Sequence, residues 1–229
     1  TELARKAGTT QGTVAKYERA SLASGHALLG ILTALEADLT FALGDHIEIP
    51  TPRAVSFRKR ASAPVAARDH ALAATALATG SIEPALRRRL RRPPVEIPDL
   101  SDGDARVAAR ALRAEWNMGQ GPVGNMVHLL EAKGVAVYFI QHESRALDAL
   151  SAWHGERPFV LLNAAKQDGA RGRFDAAHEL GHLVLHRGLD HGEADRMEYE
   201  AQANAFASEF LMPAESFREE APRTFSIPC

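Results

Sequence analysis

The chain is poor in cysteine and in aromatic residues. One of its 229 residues is cysteine, Cys229, and aromatics make up 6%. A disulfide framework within the chain is excluded, which fits a reducing compartment. No apolar run approaches the roughly 18 residues of a membrane-spanning helix, and no secretory signal is visible. The expectation is a cytoplasmic protein with no membrane partner. A strong excess of one charge is also missing. The net charge of -2 singles out neither a polyanionic nor a cationic partner. That total hides an uneven distribution. Residues 1–98 carry 14 Lys+Arg against 9 Asp+Glu, and residues 99–229 carry 13 against 20. A basic half followed by an acidic half suggests a nucleic-acid-facing part and an enzyme part.

What the chain does have is His178-Glu179-Leu180-Gly181-His182. On an α-helix, residues four apart share a face, so His178 and His182 can hold one metal ion together. Glu179 sits on the rim of that face, where it can act as a general base toward an attacking water. Zinc in such a site supplies the Lewis acidity that makes hydroxide accessible near neutral pH. Phe174, Ala177, Leu180, Val184 and Leu185 form an apolar stripe, which places the motif on a buried helix.

A third ligand is needed. The metzincin pattern would put His at position 188 and Gly at 185, but Gly188 and Leu185 stand there. The remaining option is a glutamate on a following helix. The run Asp195–Ala207 supplies Glu200, and alanines at 201, 203, 205 and 207 keep that helix slim. Glu200 and Asn204 are four apart, so Glu200 can bind zinc while Asn204 orients one of the imidazoles. Glu198 and Glu209 read as a solvated acidic face. His186 and His191 are the next ligand candidates; His186 is expected to pack or to hydrogen-bond.

Arg173-Phe174-x-x-Ala177-His178-Glu179-Leu180-Gly181-His182-Leu183-x-Leu185-His186, then Glu200-x-x-Ala203-Asn204-x-Phe206-Ala207 and Phe210-Leu211-Met212-Pro213, resemble the ImmA/IrrE family of bacterial metallopeptidases. The likeness covers roughly residues 104 to 213. It implies a gluzincin-like domain with zinc on His178, His182 and Glu200, and Glu179 as general base. It also implies a repressor protein as substrate, cleaved in a stress response or in mobile-element induction.

Near the N-terminus, Thr1 to Ala7 reads as a short helix, Gly8 as a left-handed cap, and Thr10 as the N-cap of a helix from Gln11 to about Arg19. Two short helices around a glycine turn make a helix-turn-helix. Glu2-Leu3-Ala4-x-x-Ala7-Gly8-x-Thr10-Gln11-x-Thr13-Val14-x-Lys16-Tyr17-Glu18 resembles the repressor-like (XRE-type) family of regulators. By that resemblance Thr10, Gln11 and Thr13 would face operator DNA, with Lys16 on phosphate or a base, and a homodimer would bind. Such domains usually begin with a further helix before the position of Thr1, so the expected domain is short of its first helix. Leu28, Leu29, Ile31, Leu32, Leu35 and Leu39 read as packing helices across Ser24–Leu43.

Gly44 to Pro64 reads as a linker. Pro64 to Leu90 reads as helix, interrupted near Gly80-Ser81 and restarting at Pro84. Its arginines, Arg87 to Arg92, suit a charged helix end. Beyond Pro98, Asp102–Trp116 is expected as a helix with Val107, Ala108, Ala111 and Leu112 inward, and Val123–Lys133 as another. Val135–Ile140 reads as a strand, and Ala149–Trp153 with Phe159–Leu162 as a hairpin. An edge strand beside the metal helix can pair with an extended substrate. Little periodicity follows Pro213.

The expected fold is α+β and mostly helical: a helix-turn-helix domain at 1–44, a linker and helical segment at 45–98, and a zinc peptidase domain with a small sheet at 99–229. The expected function is a zinc-dependent endopeptidase fused to a DNA-binding domain. The layout also resembles actinobacterial regulators of acyl-CoA metabolism, which implies the alternative of a regulator that senses an acyl-CoA without proteolysis. A degenerate fragment of a mobile element is a third reading.

Overall fold

A computed structural model describes residues 1–19, 25–37, 56–57, 65–140, 149–164, 169–189 and 195–220. The molecule is α+β and mostly helical. Its chain folds as two units, Thr1–His46 and Ile47–Cys229.

In the first unit, Thr1 caps helix α1, Glu2–Lys6, by accepting from Ala4 N. The chain turns through Gly8 at φ +62°, a left-handed conformation that favours glycine. Thr10 then caps α2, Gln11–Glu18, by accepting from Thr13 N. Helix α3, Gly25–Ala34, closes the group. Ala4, Val14 and Ile31 bury the centre, with Leu3, Ala7 and Tyr17 around them. Ile31 and Leu32 face inward as expected, but Leu29 and Leu35 are more than half exposed. Leu39 lies outside the described residues.

The second unit is built on a four-stranded sheet with the order β1-β3-β4-β2. Its strands are β1 (Ser56–Phe57), β2 (Ala136–Ile140), β3 (Ala149–His154) and β4 (Arg157–Asn163). β3 and β4 form the expected antiparallel hairpin, and β2 runs parallel to β4. The backbone of Ser56 and Phe57, in the segment read as linker, pairs antiparallel with Ser151 and Leu150. Side chains alternate between the two faces. Ala136, Leu150, Ala152, Phe159 and Leu161 pack with Ala71 and Leu72 of α4, Val65–Leu77. Ala149, Val160 and Leu162 join the larger core on the other face, built by α6 (Ala105–Glu115), α7 (Met126–Ala132), α8 (Gly169–Leu185) and α9 (Arg196–Leu211).

Several expectations are corrected. The α-helix after Val65 is interrupted near Gly80-Ser81, as expected, but the chain keeps its helical turn. It passes through a π-helical turn, Ala78–Ile82, into α5, Glu83–Arg87. A wider turn absorbs the poor helix formers without loss of direction. Glu83 is buried and pairs with Arg87 and Arg92, so these two arginines fasten a carboxylate. In α6, Ala108 and Leu112 point inward, but Val107 and Ala111 are exposed; Ala105, Ala109 and Arg113 take the buried face instead. Capped by Asp104, this helix starts at Ala105, three residues after the expected Asp102. Past Pro213 a further helix forms, α10 (Ala214–Glu220). Among the described residues no helix is long and apolar enough to cross a membrane.

Arg113 is 3% exposed and shows how a buried cation is accommodated. Its guanidinium donates to the carbonyls of Phe210, Gly119 and Gly121 at 2.5–3.0 Å. Phe210 lies in the last turn of α9, where carbonyls lack intrahelical donors. Arg113 thus ties α6 to the end of α9, and Phe210 stacks on Phe206 and meets Trp116 edge-on.

Candidate metal centre

The centre lies where α8 and α9 touch. A Cβ on Gly181 would sit 3.2 Å from Ala203 Cα and 3.2 Å from Phe206 Cδ1. Glycine at 181 and alanine at 203 let the two backbones come this close. The consequence is chemical: side chains one turn away on each helix reach the same point.

Those side chains are His178, His182 and Glu200, whose donor atoms lie within 4.8 Å of one another. His178 Nε2 is 3.1 Å from His182 Nε2. Glu200 Oε2 is 3.5 Å from His178 Nε2, and Glu200 Oε1 is 3.7 Å from His182 Nε2. Ligands held at about 2.0–2.1 Å around a tetrahedral zinc stand roughly 3.3–3.4 Å apart. The three separations bracket that edge. Both imidazoles are buried, and Glu200 is partly open.

The electrostatics also suit a cation. Burial pushes His182 down to about 4, against the opposing pull of Glu200, so its imidazole is neutral at pH 7. Burial acts to raise Glu200, but the imidazoles of His178 and His182 beside it outweigh this and hold the carboxyl below the usual range. A neutral imidazole and an ionised carboxylate are the forms that ligate metal. His178 Nδ1 is 3.0 Å from Asn204 Oδ1, which places its proton on Nδ1 and its lone pair on Nε2. The residues present therefore fit zinc, which His178, His182 and Glu200 would hold, with Asn204 against His178.

Glu179 is fully buried beside this group, and Ser151 Oγ donates to its Oε2 at 2.5 Å. Ser151 is not among the residues expected from sequence. Its signal is a lone hydroxyl in the apolar run of β3, where a buried polar group needs a partner. Gln202 is likewise absent from those expectations. It accepts from His186, which in turn meets His182, so the expectation that His186 would pack or hydrogen-bond fits. Glu209 contradicts its expected solvated state. It is 4% exposed and pairs with Arg110 at 3.1 Å. Glu198 is exposed, as expected of an acidic surface, and accepts from Gln202. His191 lies outside the described residues.

In the N-terminal unit, Thr10, Gln11 and Lys16 are exposed and Thr13 is partly so. The Thr10 and Thr13 hydroxyls lie 2.9 Å apart and share one hydrogen bond at the helix cap.

No curated protein matches the chain. Residues 130–227, which include the whole metal centre, match the family model Peptidase_M78, described as the IrrE N-terminal-like domain, and this supports a metallopeptidase of the ImmA/IrrE type.

Proposed function

We propose that the chain is a zinc-dependent endopeptidase carrying a DNA-binding helix-turn-helix unit, acting in the cytoplasm on a repressor protein. The observation that carries the proposal is the convergence of His178, His182 and Glu200 beside a buried Glu179 that is itself held by Ser151. Zinc at that point would supply a Lewis acid to polarise the scissile carbonyl. Glu179 would take the proton of the attacking water and pass it to the leaving amine. Ser151 would keep the carboxylate turned toward the reacting water. An extended substrate would pair with a sheet edge near the metal helix; at Leu150 and Ser151 the outer side of β3 is already taken by Ser56 and Phe57. The N-terminal unit would bind operator DNA as a dimer, with Gln11 and Thr13 toward the bases and Lys16 toward phosphate.

The test is Glu179→Gln, followed by immunoblot of a repressor encoded beside this chain and co-expressed with it. Zinc content should be kept, because Glu179 is outside the ligand set. Cleavage should drop by roughly 10²–10⁴, the usual worth of a positioned general base. Repressor levels that ignore Glu179 while the variant still regulates transcription would replace the peptidase by a ligand-sensing regulator.

A further inference from the structure

His186 follows His182 by one helical turn and is 3% exposed. From it a line of hydrogen bonds crosses from α8 to α9 and reaches the surface. His182 Nδ1 is 2.9 Å from His186 Nδ1. His186 Nε2 is 2.8 Å from Gln202 Oε1, and Gln202 Nε2 donates to Glu198 Oε1 at 3.1 Å. The ring of Tyr199 lies against that of His186, with centroids 4.6 Å apart, so the imidazole is held in its orientation.

The far end of this line sets the direction of every proton in it. A carboxylate only accepts, so the end of the Gln202 amide that faces Glu198 must be the NH2. The end that faces His186 is then the carbonyl, which also only accepts. His186 therefore carries a proton on Nε2, and in the neutral ring this leaves a lone pair on Nδ1. That lone pair accepts the Nδ1 proton of His182. The remaining nitrogen of His182, Nε2, is left with a lone pair, and it is the nitrogen that faces His178 and Glu200.

We infer that His186, Gln202 and Glu198 are positioning residues that fix the tautomer of His182, so that its Nε2 lone pair is presented to the metal. The inference rests on the zinc site proposed above and extends it to three residues that touch neither metal nor substrate. Asn204 does the same for His178 directly. The helix that supplies the glutamate ligand thus also sets the protons of both histidine ligands. An imidazole whose second nitrogen has a fixed acceptor binds metal more tightly, and loss of such a partner typically weakens binding 10–100-fold.

The experiment reads tautomers and zinc affinity rather than cleavage. Two-bond 1H–15N correlation spectra of the zinc-loaded, histidine-labelled chain should show His186 as the Nε2–H form and His182 as the Nδ1–H form. Gln202→Met keeps the length of the side chain and removes the acceptor. It should weaken zinc binding by about 10–100-fold in a competition assay with a chromophoric chelator. The exchange Glu198→Gln with Gln202→Glu keeps the direction of the line, since Gln at 198 donates to a carboxylate at 202. Affinity should return close to that of the unaltered chain, which loss of packing alone would not produce. His186 in the Nδ1–H form, or Gln202→Met with unchanged zinc affinity and an unchanged His182 tautomer, overturns the relay. A chain that holds zinc with these tautomers and cleaves nothing leaves the relay standing and removes only the peptidase reading. A folded chain that takes up no zinc overturns both.

Discussion

Gly181 is the position where a single methyl group tests how the centre is assembled. Replacing a glycine inside a helix by alanine ordinarily stabilises the helix by up to about 1 kcal/mol. At position 181 the new Cβ would meet Ala203 Cα at 3.2 Å, Phe206 Cδ1 at 3.2 Å and Ala203 O at 3.3 Å. Two of these three atoms are backbone and cannot rotate away. Overpacking of this kind costs roughly 1–3 kcal/mol, so it should outweigh the propensity gain, with a net loss of about 1 kcal/mol for Gly181→Ala. Gly181→Leu cannot fit without separating α8 from α9. Glu200, one turn before Ala203 and Asn204, would then move away from His178 and His182, whose ligand atoms stand only 3.5 and 3.7 Å from its oxygens. Metal sites tolerate about 0.2 Å in ligand distance, so zinc affinity should fall at least about ten-fold. Gly172 gives the control. It lies in the same helix, and a Cβ there meets nothing within 4 Å. Gly172→Ala should stabilise the chain by up to about 1 kcal/mol and leave zinc binding unchanged. Urea unfolding and chelator competition read both quantities. If Gly181→Ala stabilises as much as Gly172→Ala, and Gly181→Leu keeps its zinc, the close helix approach does not create the site.

Ser151→Ala removes the hydroxyl that holds Glu179. Hydrogen bonds to charged groups contribute about 1.5–3 kcal/mol, so kcat for a cleaved substrate should fall roughly ten-fold or more while zinc content stays constant; full activity would detach Ser151 from the mechanism. Arg113→Met leaves the carbonyls of Phe210, Gly119 and Gly121 without their guanidinium donors. The Phe210 carbonyl is buried, and leaving a buried acceptor unmade costs roughly 1–3 kcal/mol, so unfolding by urea should show a loss of about that size; a neutral result would mean water replaces the side chain there. For pH, His182 titrates near 6.5 when unfolded and about 4 when folded, a depressed base. Its neutral form gives stability that is present above pH 6.5 and is lost as pH falls through 6.5 toward 4. The metal-free chain should lose stability across that window, and His182→Gln should flatten the slope; an equal slope in both assigns the acid transition to other groups.

Much of the centre is legible in the sequence because its information is local. A four-residue spacing places His178 and His182 on one face whatever surrounds them, and the alanine run around Glu200 states that its helix packs closely. The cap at Thr10 follows from a side-chain oxygen that acts on backbone three residues away. Illegible features depend on partners far along the chain. Glu209 reads as solvent-facing beside Ser208, yet it is buried because Arg110, ninety-nine positions earlier, reaches it. Val107 looks more suited to the core than Arg113, but three carbonyls make the guanidinium the better fit. The pairing of Ser56–Phe57 with β3 likewise cannot be read from a proline-rich stretch with little alternation.

These long-range partners explain why α9 carries more of the site than its one ligand suggests. A zinc ligand must be deprotonated at the right atom, not merely close. The histidine pair of α8 has the spacing to bind metal but no means of choosing which nitrogen keeps a proton. Asn204 and Gln202 provide that choice, and both lie on the helix that brings Glu200. Their reach depends on Gly181 and Ala203, and the end of α9 is held by Arg113 through Phe210. Ligand geometry and ligand tautomer are therefore both set by the packing of α8 on α9, so a disturbance at Gly181 or Ala203 should weaken zinc binding as well as stability.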